Sequence, residues 1–367
     1  MREANNYAGG NSYGNCPPET GKGFTKAANV GLRLGKLRDF RFQYSLRSLF
    51  ILTAIVAIMC SAVRWYRLAN AEYYARRTLG KSGYSVLLFV SRKTQCKRYD
   101  IRLKANIQDS DACVIRQALE TLDSYSPVAY LRAEPGIRIS PELFRGLELP
   151  SLTLVKLNDV ELDDSFWEVV ARSENLRLLY MENSELTNSG LSKISRAENL
   201  KALWIGRNDV DFSSVKGGFS GLRALRANDT AVNGTSMAAL AKMQQLEMLD
   251  LSGTSLDNQS LTRIHKLQAL HRLYVADTQL SDATGDQLRN LPNLRILNIS
   301  GTQFTPPGVS RLTEHPSLEV IFWEEVPKEM NRASNPRISG LLPRYDNWDE
   351  EARRVAFREM KSRDAAP

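Results

Sequence analysis

The side chains of this 367-residue chain that could carry out chemistry are few and widely separated. The cysteines and histidines together number seven: Cys16, Cys60, Cys96, Cys113, His265, His271 and His315. No two cysteines have the Cys-x-x-Cys spacing of a structural zinc site, and the P-loop, GxSxG and HExxH motifs are absent from the sequence. We therefore expect no catalytic site, no metal and no cofactor. The sequence leaves open whether Cys96 and Cys113 pair.

The charge of the chain is divided unevenly along its length. The net charge of +8 comprises +12 from residues 1–100 and −4 from the remainder. A nucleic-acid-binding domain would carry its excess of Lys and Arg on the folded domain itself. The basic residues here instead surround an apolar segment near the N-terminus, so we expect no nucleic acid partner.

That apolar segment, the 16 uncharged residues between Arg47 and Arg64, predicts a membrane-spanning helix at residues 46–66. About 20 helical residues cross the roughly 30 Å hydrocarbon core, and aromatic residues flank the run on both sides, as at membrane interfaces. The alternatives are a buried core helix, which would rarely be so apolar on every face, and a cleaved signal peptide, which would have a shorter N-terminal region. We therefore predict a retained signal anchor in contact with the lipid bilayer.

The orientation of this helix is not decided by its flanking charges. Five Lys and Arg residues lie within about 18 residues of the uncharged run on each side, with Arg47 and Arg64 included. Large domains that follow a signal anchor are translocated largely regardless of their charge. We therefore expect a single-pass membrane protein with a cytoplasmic N-terminus and an exported C-terminal region.

From residue 152 onward the sequence repeats with a fixed period. The leading leucines are 24 residues apart, except for one step of 22: Leu152, Leu176, Leu200, Leu222, Leu246, Leu270, Leu294 and Leu318. Further apolar residues follow the first seven of them by three, five and ten positions, which gives the pattern L-x-x-L-x-L-x-x-(T/N)-x-L in seven copies, and the pattern begins again at Leu318. A degenerate copy with Val128, Leu131 and Ala133 precedes them.

This pattern resembles that of the leucine-rich-repeat family over roughly residues 128–323. Seven copies in one register are very improbable by chance. The resemblance implies an α/β fold, a right-handed solenoid with parallel strands on its concave face and helices on its convex face. The order of basic tail, one apolar span and 24-residue repeats also resembles bacterial single-span membrane-anchored leucine-rich-repeat proteins, a likeness that implies no activity.

The second half of each repeat carries the signals of a returning helix and of a polar turn. Apolar pairs at i, i+3 spacing, such as Leu191 with Ile194, predict the helices, whereas the 22-residue repeat at residues 200–221 should lack one.

We expect the polar position of each repeat to form hydrogen bonds with the backbone amides that the tight turn after each strand leaves unpaired. Its residues are Ser184, Asn208, Thr230, Thr254, Thr278 and Thr302.

On the predicted sheet, alternate side chains point away from the core and form two columns on the concave face. Aromatic and Arg side chains among apolar ones are typical of protein-binding surfaces. We predict that a protein ligand contacts Tyr130, Arg132, Lys156, Leu178, Tyr180, Trp204, Arg226, Met248, Asp250, Arg272, Tyr274, Asn298 and Phe322. The alternatives are that the C-terminal tail or another copy covers this face, or that it has no specific partner. The histidines fall outside the columns, and we expect them to be solvated.

Five regions follow from these patterns. Residues 1–45 form a basic tail predicted to be disordered, which lies against anionic lipid or is simply solvated. The membrane helix at 46–66 precedes a juxtamembrane helix and an α/β N-terminal cap at residues 67–126. The repeats occupy residues 127–325. Residues 326–367 form a charged tail with a short helix, which either caps the solenoid or is loose.

The cap is needed because the first repeat would otherwise expose its core to water. Its sequence predicts a strand at Ser85–Val90 and a helix beginning near Asp109. The helix should bury one face that contains Val114, Ala118, Leu119 and Leu122.

The function predicted from these regions is that of a membrane-anchored protein-binding module without catalytic activity. The alternative is a structural, self-associating envelope component whose solenoid packs on itself or on other copies.

Overall fold

The computed structural model describes residues 46–90, 97–323 and 338–339. Contacts divide the chain into two compact units, Met1–Ala69 and Asn70–Pro367. The predicted disordered tail and the predicted helix of the C-terminal tail lie outside the described residues.

A single 36-residue helix, α1 (Leu46–Lys81), begins the described part of the chain. It includes the predicted membrane span, although the side chains of residues 46–52 and 64 lie outside those described. No helix formed by the described residues has a stretch both long and apolar enough to cross a membrane. Near its end, Ala75 and Leu79 are buried in the core of the second unit.

The predicted cap contains a hairpin and a helix. Strand β1 (Ser85–Val90), which was predicted, pairs antiparallel with β2 (Lys97–Leu103), which was not. Helix α2 (Asp109–Tyr125) follows and packs beside the parallel strand that opens the repeats.

The buried face of α2 differs from the prediction at one residue. Ala118, Leu119 and Leu122 are buried as predicted, but Val114 is 41% exposed, and placing it on the buried face was wrong. Ile115 lies there instead, because residues three, four and seven positions apart share one face of a helix.

One sheet of twelve strands runs through the second unit in chain order, and every pairing after the first hairpin is parallel. In each repeat the core residues alternate with residues whose side chains point away from the core. This alternation is typical of a strand, and each repeat contributes a short one. The remaining strands are β3 (Val128–Ala133), β4 (Leu154–Lys156), β5 (Leu178–Tyr180), β6 (Ala202–Trp204), β7 (Ala224–Arg226), β8 (Met248–Asp250), β9 (Arg272–Tyr274), β10 (Ile296–Asn298), β11 (Val320–Phe322) and β12 (Ile338–Ser339). The predicted parallel strands of the solenoid are therefore confirmed.

Most repeats return through a helix, as predicted. The α-helices are α3 (Asp164–Arg172), α4 (Asn188–Ile194), α5 (Met237–Leu240), α6 (Gly285–Arg289) and α7 (Pro306–Thr313). Tighter 3-10 helices occur at Pro141–Leu143, Ser260–Lys266 and Asp282–Thr284. The hydroxyl of Thr187 caps α4 by accepting a hydrogen bond from the Gly190 amide at 3.1 Å.

The 22-residue repeat is the exception. No helix is described between Trp204 and Ala224, which confirms the prediction for this repeat. The loop instead buries Phe212, Val215 and Phe219, which fill the space that a helix occupies elsewhere.

The aliphatic residues of the repeats form one continuous core with the cap. Leu249 and Leu297, the central core residues of β8 and β10, are fully buried. Edge-to-face contacts among Phe144, Phe166 and Trp167 extend this core beneath the first repeats.

A tight turn after the strand places one residue of most repeats in the left-handed backbone region. Its φ angle lies between 50° and 68° at Asp159, Asn183, Arg207, Asp229, Gly253, Asp277 and Gly301. Asn, Asp and Gly tolerate this conformation better than other residues, which explains why they predominate at the position. At Gly253 a Cβ atom would in addition collide with the carboxylate of Asp229.

The polar position of the repeat acts differently from the prediction. The hydroxyls of Thr230 and Thr278 donate to the carbonyls three residues earlier, at 2.7 and 2.6 Å. The amides of the turn do not need them, since that of Asp229, for example, donates to a carbonyl of the next repeat at 2.8 Å. Asn208 acts as predicted, because its Oδ1 accepts from the amides of Ser184 and Leu186 at 2.9 and 3.0 Å.

Candidate protein-binding face

The parallel strand register assembles both predicted columns across the sheet. All thirteen predicted ligand-contacting residues lie in these columns, on the side of the sheet opposite to the repeat core. We call the eighteen residues of the two columns the outer face. They are Tyr130, Leu154, Leu178, Ala202, Ala224, Met248, Arg272, Ile296 and Val320, and Arg132, Lys156, Tyr180, Trp204, Arg226, Asp250, Tyr274, Asn298 and Phe322.

The outer face is far more buried than a solvated sheet surface. Leu178 is 0% exposed, Trp204 1% and Tyr274 4%. Together with their neighbours they form a second hydrophobic cluster, separate from the repeat core. The half-buried members of the face are Tyr130, Arg132, Lys156, Arg226, Arg272, Ile296 and Val320.

Two stacked aromatic rings lie at the centre of this cluster. Tyr180 and Trp204 occupy the same column on adjacent strands, and their ring centroids are 4.4 Å apart at an interplanar angle of 14°. The ammonium of Lys156 lies 5.3 Å from the centroid of the Tyr180 ring, within cation–π range. The three side chains therefore form a flat aromatic platform with a positive charge at one end.

Arg226, on the next strand, links this platform to two carboxylates. Its guanidinium lies 3.1 Å from Glu182 and 3.5 Å from Asp250. Asp250 also accepts a hydrogen bond from the Ser252 amide at 3.0 Å. Burial raises the pKa of Asp250, and the Ser252 hydrogen bonds and Arg226 oppose that rise by favouring the charged form.

A second ion pair lies at the cap end of the sheet. Arg132 is 3.6 Å from Asp100 of β2, and its guanidinium also lies 5.5 Å from the ring centroid of Tyr130. Burial raises the pKa of Asp100, whereas Arg132 and Arg102 lower it. The acidic partners in these pairs, Asp100 and Glu182, were not predicted. Glu182 lies two residues after Tyr180, so the alternation of the strand, continued past its end, could have identified it.

Two uncharged side-chain nitrogens of the face are buried with no hydrogen-bond partner among the described residues. They are the indole Nε1 of Trp204 and the side-chain amide Nδ2 of Asn298. Asn298 uses its other atom, Oδ1, to accept from the Ser300 amide at 3.1 Å, as Asp250 does two repeats earlier. Because an unsatisfied buried donor costs free energy, a hydrogen-bond acceptor placed beside either nitrogen would be stabilising.

The histidines lie away from the outer face, as predicted, but one differs from its predicted environment. His265 is exposed, and its Nδ1 lies 3.0 Å from the carbonyl of Thr262. His315 is 1% exposed, so the prediction that it is solvated was wrong. It follows α7, whose apolar residues Val309 and Leu312 belong to the repeat core. Among the described residues, no group of three His, Cys, Asp or Glu side chains could hold a metal ion.

Comparison with known proteins identifies similar solved structures. No family model matches the chain, and no curated protein matches it. An internalin, inlF, of Listeria monocytogenes is 18% identical with a TM-score of 0.46, over 59% of this chain and 58% of that one. Internalin C2 of the same organism is 20% identical with a TM-score of 0.45, over 57% and 83%. The plant peptide hormone receptor RGFR1, in complex with RGF2, is 18% identical with a TM-score of 0.36, over 60% and 38%.

The similarity to inlF covers less than two thirds of that chain. The repeats of the present chain identify the fold by themselves. Each 24-residue period contains one parallel strand and the segment that connects it to the next strand. The strands pair in a single register, and the leucines of successive repeats pack into one buried core. The chain therefore has the fold of a leucine-rich-repeat solenoid.

Proposed function

We propose that this chain is a membrane-anchored module that binds a protein ligand on its outer face. The stacked pair of Tyr180 and Trp204, next to Arg226, is the observation that carries this proposal. Tyr, Trp and Arg are the residues most enriched at the centres of protein interfaces, where they contribute most of the binding energy. Apolar neighbours such as Met248 give the same face the composition of an interface core.

Binding should depend on the charge of the outer face. Arg272 is half-buried on that face, whereas Arg289 is on helix α6 and forms an ion pair with Glu314 at 2.7 Å. We expect R272E to reduce ligand capture from detergent extracts of membranes at least tenfold, or about 1.4 kcal/mol, because it reverses a charge within the interface. R289E, the matched control, should capture within about twofold of the wild type.

Quantitative mass spectrometry of the captured polypeptides measures both effects. Equal capture by all three chains would show that the outer face is not the binding surface. Capture of only the chain itself would favour the self-associating alternative.

We propose that residues 46–66 of α1 anchor the module in the bilayer. Its apolar side chains are about half exposed or more at Ile55, Val56, Ile58, Met59 and Val63. Such an apolar surface is normally buried against lipid or protein, which supports the proposal.

We further propose that the N-terminus is cytoplasmic and the repeats are exported. The disulfide bond of Cys113 supports export, since disulfides persist in oxidising compartments.

The anchor can be tested by fractionation. We expect the intact chain to stay with membranes through a carbonate wash and deletion of residues 46–66 to release it, because a salt- and pH-resistant attachment needs buried apolar surface. Protease added to spheroplasts should cut the repeats and spare an epitope placed before Met1. Release of the intact chain by carbonate would overturn the anchor, and protection of the repeats with loss of the epitope would reverse the orientation.

A further inference from the structure

The two flanks of the repeat sheet carry opposite charges. Because β4–β10 are all parallel, the segments that enter these strands lie along one flank of the sheet and the segments that leave them lie along the other. We call these two sets of six segments the entry flank and the exit flank. The entry flank is residues 172–177, 196–201, 218–223, 242–247, 266–271 and 290–295, and the exit flank is residues 158–163, 182–187, 206–211, 228–233, 252–257 and 276–281.

The exit flank is strongly acidic. It contains ten Asp and Glu residues and one basic residue, Arg207, which gives a formal charge of −9. Seven of the acidic residues are exposed, and none of the seven forms an ion pair with another described residue. Hydrogen bonds from Ser260 lower the pKa of one of them, Asp257, so its carboxylate stays ionised at neutral pH. The seven are Asp159, Glu161, Glu185, Asp209, Asp229, Asp257 and Asp277.

The entry flank is basic. It contains eight Lys and Arg residues and three Glu residues, which gives a formal charge of +5 with His271 neutral. Four of the basic residues, Arg172, Arg196, Lys242 and Lys266, occupy the same position of their repeats, four residues before the leading leucine. All four are exposed, and the ion pairs between described residues include none of them. Both flanks therefore present charges that the described fold does not neutralise.

We infer that copies of this chain associate side by side, with the exit flank of one copy against the entry flank of the next. Opposite charges attract across this contact, whereas a contact between two exit flanks or two entry flanks would bring like charges together. The two flanks also match in spacing, because both are built on the same strands, which lie about 4.8 Å apart. Successive charges of one copy can therefore face successive opposite charges of the other along the whole contact.

A second copy fits these flanks better than an unrelated charged chain does. It offers a charged surface with the same period as the flank that it meets, so the attraction is repeated at every strand. Because the two surfaces in contact are different, the association is heterologous and extends from copy to copy in a row. The outer face lies between the flanks and is not part of this contact, so the inference does not rest on the proposed function.

The response to salt tests the electrostatic origin of the association. The full chain, purified in detergent micelles, is studied by sedimentation velocity while NaCl is raised from about 0.01 M to about 1 M, which shortens the Debye length from about 30 Å to about 3 Å. We expect oligomers at the low concentration and monomers at the high one. Association through apolar surface, including that of α1, would not be weakened by salt in this way.

Charge reversal tests which surfaces meet. The first variant changes the charge of the exit flank from −9 to +1 through five exposed residues, by E161K, E185K, D209K, D229K and D277K. The second changes the charge of the entry flank from +5 to −3, by R172E, R196E, K242E and K266E. The matched control reverses exposed charges on the convex helices α6 and α7, by D286K and R311E.

We expect each flank variant alone to associate about tenfold more weakly than the wild type or worse, because both of its flanks then carry charge of one sign. An equimolar mixture of the two variants should associate as the wild type does, since each supplies the flank that the other lacks. Misfolding of a variant could not be reversed by mixing. The control should associate as strongly as the wild type.

A monomeric wild type at low salt, association that persists in about 1 M salt, or no recovery in the mixture would each overturn the inference. Weakened association of R272E would also overturn it, because Arg272 is on the outer face and not on either flank. If R272E associates normally and captures ligand as well as the wild type does, the rows stand and the proposed function fails.

Discussion

L249A should lower the free energy of unfolding by about 2–5 kcal/mol, the range for truncating a fully buried leucine. Leu249 is 0% exposed and belongs to the continuous core of the repeats and cap. Removal of its side chain leaves a cavity that neighbouring repeats cannot fill, because their leucines are fixed by the strand register. Chemical denaturation of the variant and the wild type measures the difference.

L297A, two repeats later, should have an effect of the same size, since Leu297 occupies the equivalent buried position. L87A is the matched control, because Leu87 on β1 is 45% exposed and should cost less than about 0.5 kcal/mol. Losses below that value for both core variants would show that the register assigned to the repeats is incorrect.

W204A should lower the free energy of unfolding by about 3–5 kcal/mol, as expected for a buried tryptophan. Trp204 is on the outer face, where a solvated aromatic residue would contribute little to folding. Its 1% exposure and its stacking on Tyr180 place it instead within a packed apolar cluster. The stability of the variant therefore measures how tightly Trp204 is packed in the folded chain.

The control for W204A is Y74A, which truncates an aromatic residue that is 49% exposed on α1. We expect it to change the free energy of unfolding by less than about 0.5 kcal/mol. An equally small effect of W204A would mean that the Trp204 indole is solvated and contributes little to the packing of the outer face.

The sequence predicted the repeats well because their signal is local and is copied many times. The spacing of the leading leucines determined which residues enter the core, and the alternation along each strand determined which residues form the outer face. Both assignments agree with the strand register, for example in the pairing of Leu203 with Leu225 across the short repeat.

The prediction failed where a residue's environment depends on contacts from distant parts of the chain. Strand β2 has no repeat to identify it, and the burial of His315 depends on packing by neighbouring repeats. Alternation also shows which way Trp204 points but not that it is almost completely buried. The charges that complete the site, such as Glu182, lie beyond the strand ends where the pattern stops.

The short repeat has a consequence for how the solenoid unfolds. In a linear array each repeat contacts only its neighbours, so the least favourable junction determines where the array divides into separately folding blocks. Between β6 and β7 the helix is replaced by a loop in which Phe212 and Phe219 adopt left-handed φ angles of 60° and 54°. That conformation is costly for bulky side chains, and only their burial offsets it. We therefore expect the solenoid to divide at this junction, into an N-terminal foldon that contains the cap and a C-terminal foldon of regular repeats.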